Sequence, residues 1–193
     1  MSTIKQMFSG GPVDILNPRP RDFRILDIAE SLSKIARFTG HTRRHASVAQ
    51  HSVLVSFLLE GTGFEMEGLM HDAAESVTGD ISTPMKNAIK EMIYRATGER
   101  DVDPIKMITQ QVDIALCQQF HLCYPRPPAV KAADLEAMTL ERRQMMLPAS
   151  GVVWSTDVLT REVALQWMTQ EEARDAFIDR YNAILFGREG KES

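Results

Sequence analysis

Helix-start signals recur along this chain, while the apolar–polar alternation that a strand needs is nearly missing. Thr83-Pro84 and Asp103-Pro104 each set a capping side chain before a proline, the residue best tolerated in a first helical turn. Thr169-Gln170-Glu171-Glu172 is a capping box, in which a threonine and a glutamate satisfy each other's free backbone N–H. Asp27 and Ser47 mark two earlier starts. The pattern predicts a single all-α domain over residues 1–193, a bundle of about seven or eight helices. Its core is expected over about 25–187, with a disordered tail from Arg188.

In chain order, residues 1–26 read as irregular, broken by Gly10-Gly11-Pro12 and Asn17-Pro18-Arg19-Pro20, with an edge or cover piece around Val13, Ile15 and Leu16. A helix from Asp27 carries Ile28, Leu32 and Ile35 and ends near Phe38-Thr39-Gly40. The next runs from Ser47 to Gly61, with Val48, His51, Leu54, Val55 and Leu58 inward. A third is expected over about 65–77, a fourth through Met92-Ile93 and a fifth from Asp103 towards Phe120. After a break at Tyr124–Pro128 comes a helix over about 129–146, then a strand-like scrap at Gly151–Trp154. The last helix puts Ala173, Phe177, Ile178, Tyr181 and Leu185 inside and stops at Gly187.

At 193 residues the chain has room for one domain with a real core. A formal net charge of −4 argues against non-specific binding of nucleic-acid polymers, which needs a basic excess. Two cysteines, Cys117 and Cys123, make no disulfide framework. There is no signal-peptide core and no apolar run of ~18 residues, so a cytoplasmic protein without membrane contact is expected.

Chemistry concentrates in Met70-His71-Asp72-Ala73-Ala74-Glu75-Ser76-Val77-Thr78-Gly79-Asp80. On a helix, Glu75 would lie one turn beyond His71, with Asp72 close enough to share a point with it. An imidazole and a carboxylate converging, with a spare acid nearby, suit a divalent metal and an acid/base group. Alone, such a segment is more often a solvated acidic helix face. His51, on an apolar face, would alone be a satisfied core histidine. Asp134, in the Ala-rich stretch Val130–Leu135, needs a cation, either a basic side chain or a metal. Together His51, His71, Asp72 and Asp134 suit zinc, manganese, iron or cobalt, and ligand type alone does not choose among them.

These pieces resemble the HD-domain metal-dependent phosphohydrolases, whose pattern is H…HD…D. Residues 47–55 are similar to that family's first-histidine helix, residues 71–86 to its HD segment in the deoxynucleotide-hydrolysing branch, and residues 130–134 to its last-aspartate segment. The likeness spans roughly residues 25–145. It implies metal ligands His51, His71, Asp72 and Asp134, with Glu75 handling protons and Asp80 as a second acid. Arg37-Phe38 matches the branch's arginine–aromatic pair, which implies Arg37 on phosphate and Phe38 against sugar or base. Lys86 and Lys131 are further phosphate candidates, and Arg43, Arg44 and His45 add positive potential at the mouth. For each there is a bland counterpart: Phe38 as core filling, Asp80 as a turn cap, the basic residues as solvated surface.

Within that family two relatives compete, phage dATP triphosphohydrolases and bacterial 5′-deoxynucleotidases. The runs Asp14–Pro18, Asp27–Ser33 and Arg37–His41, and the short chain, lean to the phage branch. The resemblance thus implies hydrolysis of dATP to deoxyadenosine and triphosphate by metal-activated water at the α-phosphate, in a homo-oligomer (dimer or hexamer). Monophosphate hydrolysis is the alternative. A metal-stapled helical nucleotide-binding module is the non-enzymatic one, although closed structural zinc sites favour cysteine.

Overall fold

The computed structural model describes residues 2–148, 151, 154 and 157–189, and more than half of these are helical. The chain opens not as an irregular lead but as a small antiparallel hairpin, β1 (Ile4–Gln6) and β2 (Pro12–Asp14), with Lys5 opposite Val13. Val13 and Met7 sink into the core, and Lys5 Nζ donates to the carbonyl of Val77 at 2.9 Å. The edge piece expected around Val13 is therefore a latch.

Helix α1 (Ile25–Lys34) begins two residues before Asp27. Asp27 is not its cap: its buried carboxylate accepts from the backbone N–H and hydroxyl of Ser9 in the hairpin turn. The helix also ends earlier than expected. After Lys34 the chain extends through Ala36, which bridges to Ser47, and then enters a 3-10 turn at Arg37–Gly40.

Helix α2 (Val48–Leu58) is the axis of the molecule, capped by Ser47 Oγ, which accepts from Gln50 N. Only Leu54 and Phe57 of α2 are not buried, so the one inward face expected from the sequence is instead burial nearly all round. Apolar and small residues on every side mark a helix enclosed by others. Those others are α1, α3 (Glu65–Leu69), α7 (Pro128–Met145) and α8 (Gln170–Glu189).

The helix expected over 65–77 is broken. After α3 the backbone closes short turns, Ala73 N to Met70 O and Glu75 N to Asp72 O, before α4 (Glu75–Thr78). Gly68 sits where α3 meets α2. A Cβ there would lie 2.6 Å from Leu59 Cδ1 and 3.3 Å from Ser56 Cα.

Helices α5 (Thr83–Thr97) and α6 (Pro104–Phe120) follow; Asp103 caps α6 by accepting from Lys106 N, while α5 starts from Ser82 and buries no residue. Cys117 and Cys123 are both free thiols. Of the strand-like Gly151–Trp154, Val152 and Val153 lie outside the described residues, and Gly151 is in a bend. The Thr169–Glu172 capping box forms, with reciprocal bonds of 2.7 and 3.2 Å.

Gly187 does not stop α8, which continues to Glu189; glycine weakens a helix interior but ends it only where the chain must turn. Residues 190–193 lie outside the described residues. Phe177 and Ala173 are buried in α8, and Ile184 rather than the exposed Leu185 packs on the core. No helix among the described residues is long and apolar enough to cross a membrane.

Gly68→Ala gains helix propensity of at most about 1 kcal/mol, yet it presses a methyl group into α2 at a site with little room to yield. Overpacking of this kind costs about 1–3 kcal/mol. The expected outcome is a lower urea midpoint than wild type; a midpoint equal or higher would show that the helices can separate freely.

Candidate metal centre

Three elements meet where α2 is most enclosed. His51 projects from α2, His71 and Asp72 from the turn after α3, and Asp134 from α7. Helix α7 comes close because its contact face with Val55, Leu58 and Leu59 is built of small and branched residues, Val130, Ala133 and Ala137.

The two imidazole Nε2 atoms stand 3.3 Å apart. Asp134 Oδ1 is 3.3 Å from His51 Nε2 and 3.7 Å from His71 Nε2; Asp72 Oδ2 is 3.7 and 3.2 Å from the same two atoms. One ligand atom each from His51, His71 and Asp72 lies within 4.8 Å of the others. The four residues proposed as ligands from the sequence therefore converge, although His71 and Asp72 sit on a turn rather than a helix.

The other ring nitrogens decide what the convergence means. His71 Nδ1 lies 2.8 Å from the carbonyl of Gly68, which can only accept, so Nδ1 carries the proton. His51 Nδ1 lies 3.1 Å from Glu141 Oε1, again an acceptor. In the neutral rings both Nε2 lone pairs then point into one space already faced by two carboxylates. Lone pairs converging from four sides fit a cation, and the N and O donors fit a divalent first-row ion.

Without an ion, protons must fill that role. Burial opposes the His71 imidazolium, but Asp72 and Asp134 outweigh it and raise its pKa to about 10. His51 is raised against burial and Arg37 by Glu141 and Asp134. Burial likewise works against Asp72 and Asp134 as anions, yet the two histidines hold both well below the usual carboxylate range. Metal uptake would therefore displace protons from the rings.

Glu75 behaves in the opposite way. Its N–H donates to the Asp72 carbonyl at 2.9 Å, a three-residue step where a continuous α-helix would make a four-residue one, and the charges of both Asp72 and His71 act on its carboxyl. Burial, then the charges of Asp72 and Asp80, push its pKa up to about 9. Its Oε2 is buried with no hydrogen-bond partner among the described residues. Asp80, just beyond the positive-φ Gly79, is also raised, chiefly by burial and then by Asp72 against the pull of Arg37.

Arg37 is buried beside the centre. Its Nε and Nη2 bond Glu141 Oε2 at 3.3 and 3.1 Å, and its Nη1 lies 3.9 Å from Asp72 and 4.0 Å from Asp80. Nη1 makes no hydrogen bond within this cluster and is free to face a ligand. Phe38 is half-buried, its ring 5.3 Å from the Arg37 guanidinium and edge-on to Trp154. Phe38 and Thr39 both adopt positive φ, 52° and 54°, a strain that non-glycine residues carry mainly around functional sites.

Lys131 pairs with Asp134 Oδ2 at 2.7 Å while its side chain remains 69% exposed, and the half-buried Lys86 acts electrostatically on Asp80. Of the basic loop, Arg43 is held by a backbone bond to Met145, Arg44 lies over Trp167, and His45 Nε2 donates to the Ser33 carbonyl.

Glu141 is the member of this cluster that sequence reasoning missed. It is 2% exposed and its two oxygens serve His51 and Arg37 separately. A signal existed: Glu141 lies two helical turns after Asp134, on the same face of α7. In isolation, though, a glutamate between Leu140 and Arg142 reads as surface.

In the metal-free protein, unfolded Glu75 loses its proton near pH 4.5 while the folded residue keeps it to about 9, so raising the pH between those values removes stability. Glu75→Gln is neutral throughout. It is expected to exceed wild type at about pH 8, by on the order of a few kcal/mol, and to show no such gain at about pH 4. Urea midpoints that coincide at the higher pH would show that Glu75 is ionised.

No family model matches the chain. An uncharacterized protein of Rhodobacter capsulatus is 34% identical over 194 residues, covering 94% of this chain and 95% of that one. The uncharacterized protein YfdR of Escherichia coli is 36% identical over 154 residues, covering 80% of this chain and 78% of that one. With likeness at that level over most of each length, the chain belongs to one family with these two proteins.

Proposed function

We propose that this protein is a metal-dependent phosphohydrolase of the HD type acting on deoxynucleotides, with dATP as substrate and deoxyadenosine and triphosphate as products. The observation that carries the reading is the convergence of four donors, with two ring nitrogens 3.3 Å apart, beside an acid whose pKa is pushed up to about 9. A divalent ion held by His51, His71, Asp72 and Asp134 (zinc, cobalt or manganese) would supply Lewis acidity and lower the pKa of the attacking water.

The chain's own residues do the rest. Arg37 Nη1 faces the phosphoryl oxygens and stabilises the charge that grows on them. Glu75 holds a proton at neutral pH and delivers it to the departing 5′ oxygen, with Asp80 sustaining its protonated state through like charge. Phe38 packs against the sugar or base. Lys86 and the exposed Lys131 offer charge for the outer phosphates, which favours a triphosphate over a monophosphate. A metal that merely staples helices has no use for a buried, protonated Glu75. The reading carries with it a cytoplasmic homo-oligomer, dimer or hexamer, whose mass light scattering measures directly.

The deciding experiment is a panel of deoxynucleoside mono- and triphosphates with Co²⁺, Mn²⁺ or Zn²⁺, products separated by chromatography. Deoxyadenosine with tripolyphosphate from dATP is the expected result. Orthophosphate from dAMP, with dATP untouched, moves the assignment to a 5′-deoxynucleotidase, and no turnover of any substrate ends the enzyme reading. His71→Ala and Asp72→Ala are expected to fold, bind little metal and lose at least about a thousandfold in kcat; wild-type rates in either would refute the site.

A further inference from the structure

One carboxylate in this cluster has two jobs. Glu141 Oε1 lies 3.1 Å from His51 Nδ1, and Oε2 accepts from Nε and Nη2 of Arg37 at 3.3 and 3.1 Å. Helix α7 thereby sets a carboxylate beside each nitrogen of one imidazole, Asp134 at Nε2 and Glu141 at Nδ1, the latter at ion-pair distance but out of line for a hydrogen bond. His51 is fully buried, so no water competes for either position. The same carboxylate faces a buried guanidinium whose Nη1 is 3.9 Å from Asp72, a proposed ligand. A cation that close works against a divalent ion unless something neutralises it.

We propose that Glu141 is a positioning residue that couples metal binding to anion binding: it aims His51 Nε2 at the ion, and it both aims Arg37 and neutralises it so that ion and arginine coexist. The inference rests on the metal reading above. It goes beyond that reading in assigning the compatibility of two positive groups in one pocket to a residue that touches neither ion nor substrate. Glutamine at this position keeps the shape but has one accepting oxygen and one donating NH₂, so it serves His51 or Arg37 but not both.

The test uses the full chain stripped of metal, Co²⁺ affinity by chelator competition, and orthophosphate binding to the Co²⁺-loaded protein by calorimetry. Glu141→Gln is expected to lower Co²⁺ affinity by about 10–100-fold, the range seen when partners of ligating histidines are removed. Orthophosphate binding should weaken with it, because Arg37 is no longer held.

The decisive variant is Arg37→Ala/Glu141→Gln. Once the guanidinium is gone its neutraliser is no longer needed, so the double variant should bind Co²⁺ at least about threefold more tightly than Glu141→Gln alone. A packing role for Glu141 instead predicts that Arg37→Ala changes Co²⁺ affinity by the same factor whether residue 141 is glutamate or glutamine, whereas neutralisation by Glu141 predicts a clearly larger gain in the glutamine background. Co²⁺ affinity in Glu141→Gln within about threefold of wild type, or a double variant no tighter than the single one, overturns the inference. Should Glu141→Gln fail to fold by circular dichroism, the smaller and equally uncharged Glu141→Ser against Arg37→Ala/Glu141→Ser makes the same comparison, and the same two results support or overturn the coupling. Wild type that takes up no Co²⁺ would fell the metal reading itself, an outcome distinct from wild type and variant binding alike.

Discussion

Two imidazole nitrogens facing each other at 3.3 Å inside a protein are the constraint on which the rest of this structure turns. Each ring has its second nitrogen against an acceptor, a backbone carbonyl for His71 and the Glu141 carboxylate for His51. The neutral rings therefore have only lone pairs to offer each other. Something positive must stand between them and the two aspartates, either protons taken up by the rings or an ion. Burying such a group uncompensated would cost several kcal/mol. The surrounding architecture makes sense as a means of holding the donors in place while that positive charge is supplied.

The fold meets this demand by enclosing one helix. α2 is buried nearly all round, and α3 reaches it because Gly68 has no side chain. The carbonyl of the same glycine orients His71, so the residue that permits the close approach also fixes the ring that depends on it. On the far side α7 packs through small residues and delivers Asp134 and Glu141 to the two edges of His51. Neither feature is local to the ligands.

How much of this was legible in the sequence follows from the range over which each signal acts. Helix starts are local, and Ser47, Asp103 and the Thr169–Glu172 box all form as read. The four converging donors were legible because each stands out chemically against an apolar or alanine-rich background. The break between α3 and α4 was not. His71–Thr78 has acceptable helix formers throughout, and the tight turns come from packing on α2 and from the Gly68 carbonyl being bonded to a side chain. The hairpin at residues 4–14 was missed because three-residue strands leave almost no alternation to read. Glu141 was missed because its meaning lies in Arg37, which is 104 residues away in sequence.

The broken helix has a chemical consequence. In a continuous helix Glu75 would stack over His71, and an imidazolium there would keep the carboxylate ionised. The tight turns leave it in a buried place faced by Asp72 and Asp80, where burial first and then both charges favour its protonated form over the opposing pull of Arg37 and His71. Carboxyl groups a few ångströms apart are thus driven in opposite directions: Asp72 and Asp134 into the anionic form that can ligate a cation, Glu75 into the neutral form that can give up a proton. Divergence of this kind is how one pocket holds a base-like and an acid-like group at the same pH. Here burial of Glu75 is the larger cause, and the charges of Asp72 and Asp80, met where the backbone tightens over Met70 to Ala74, add to it.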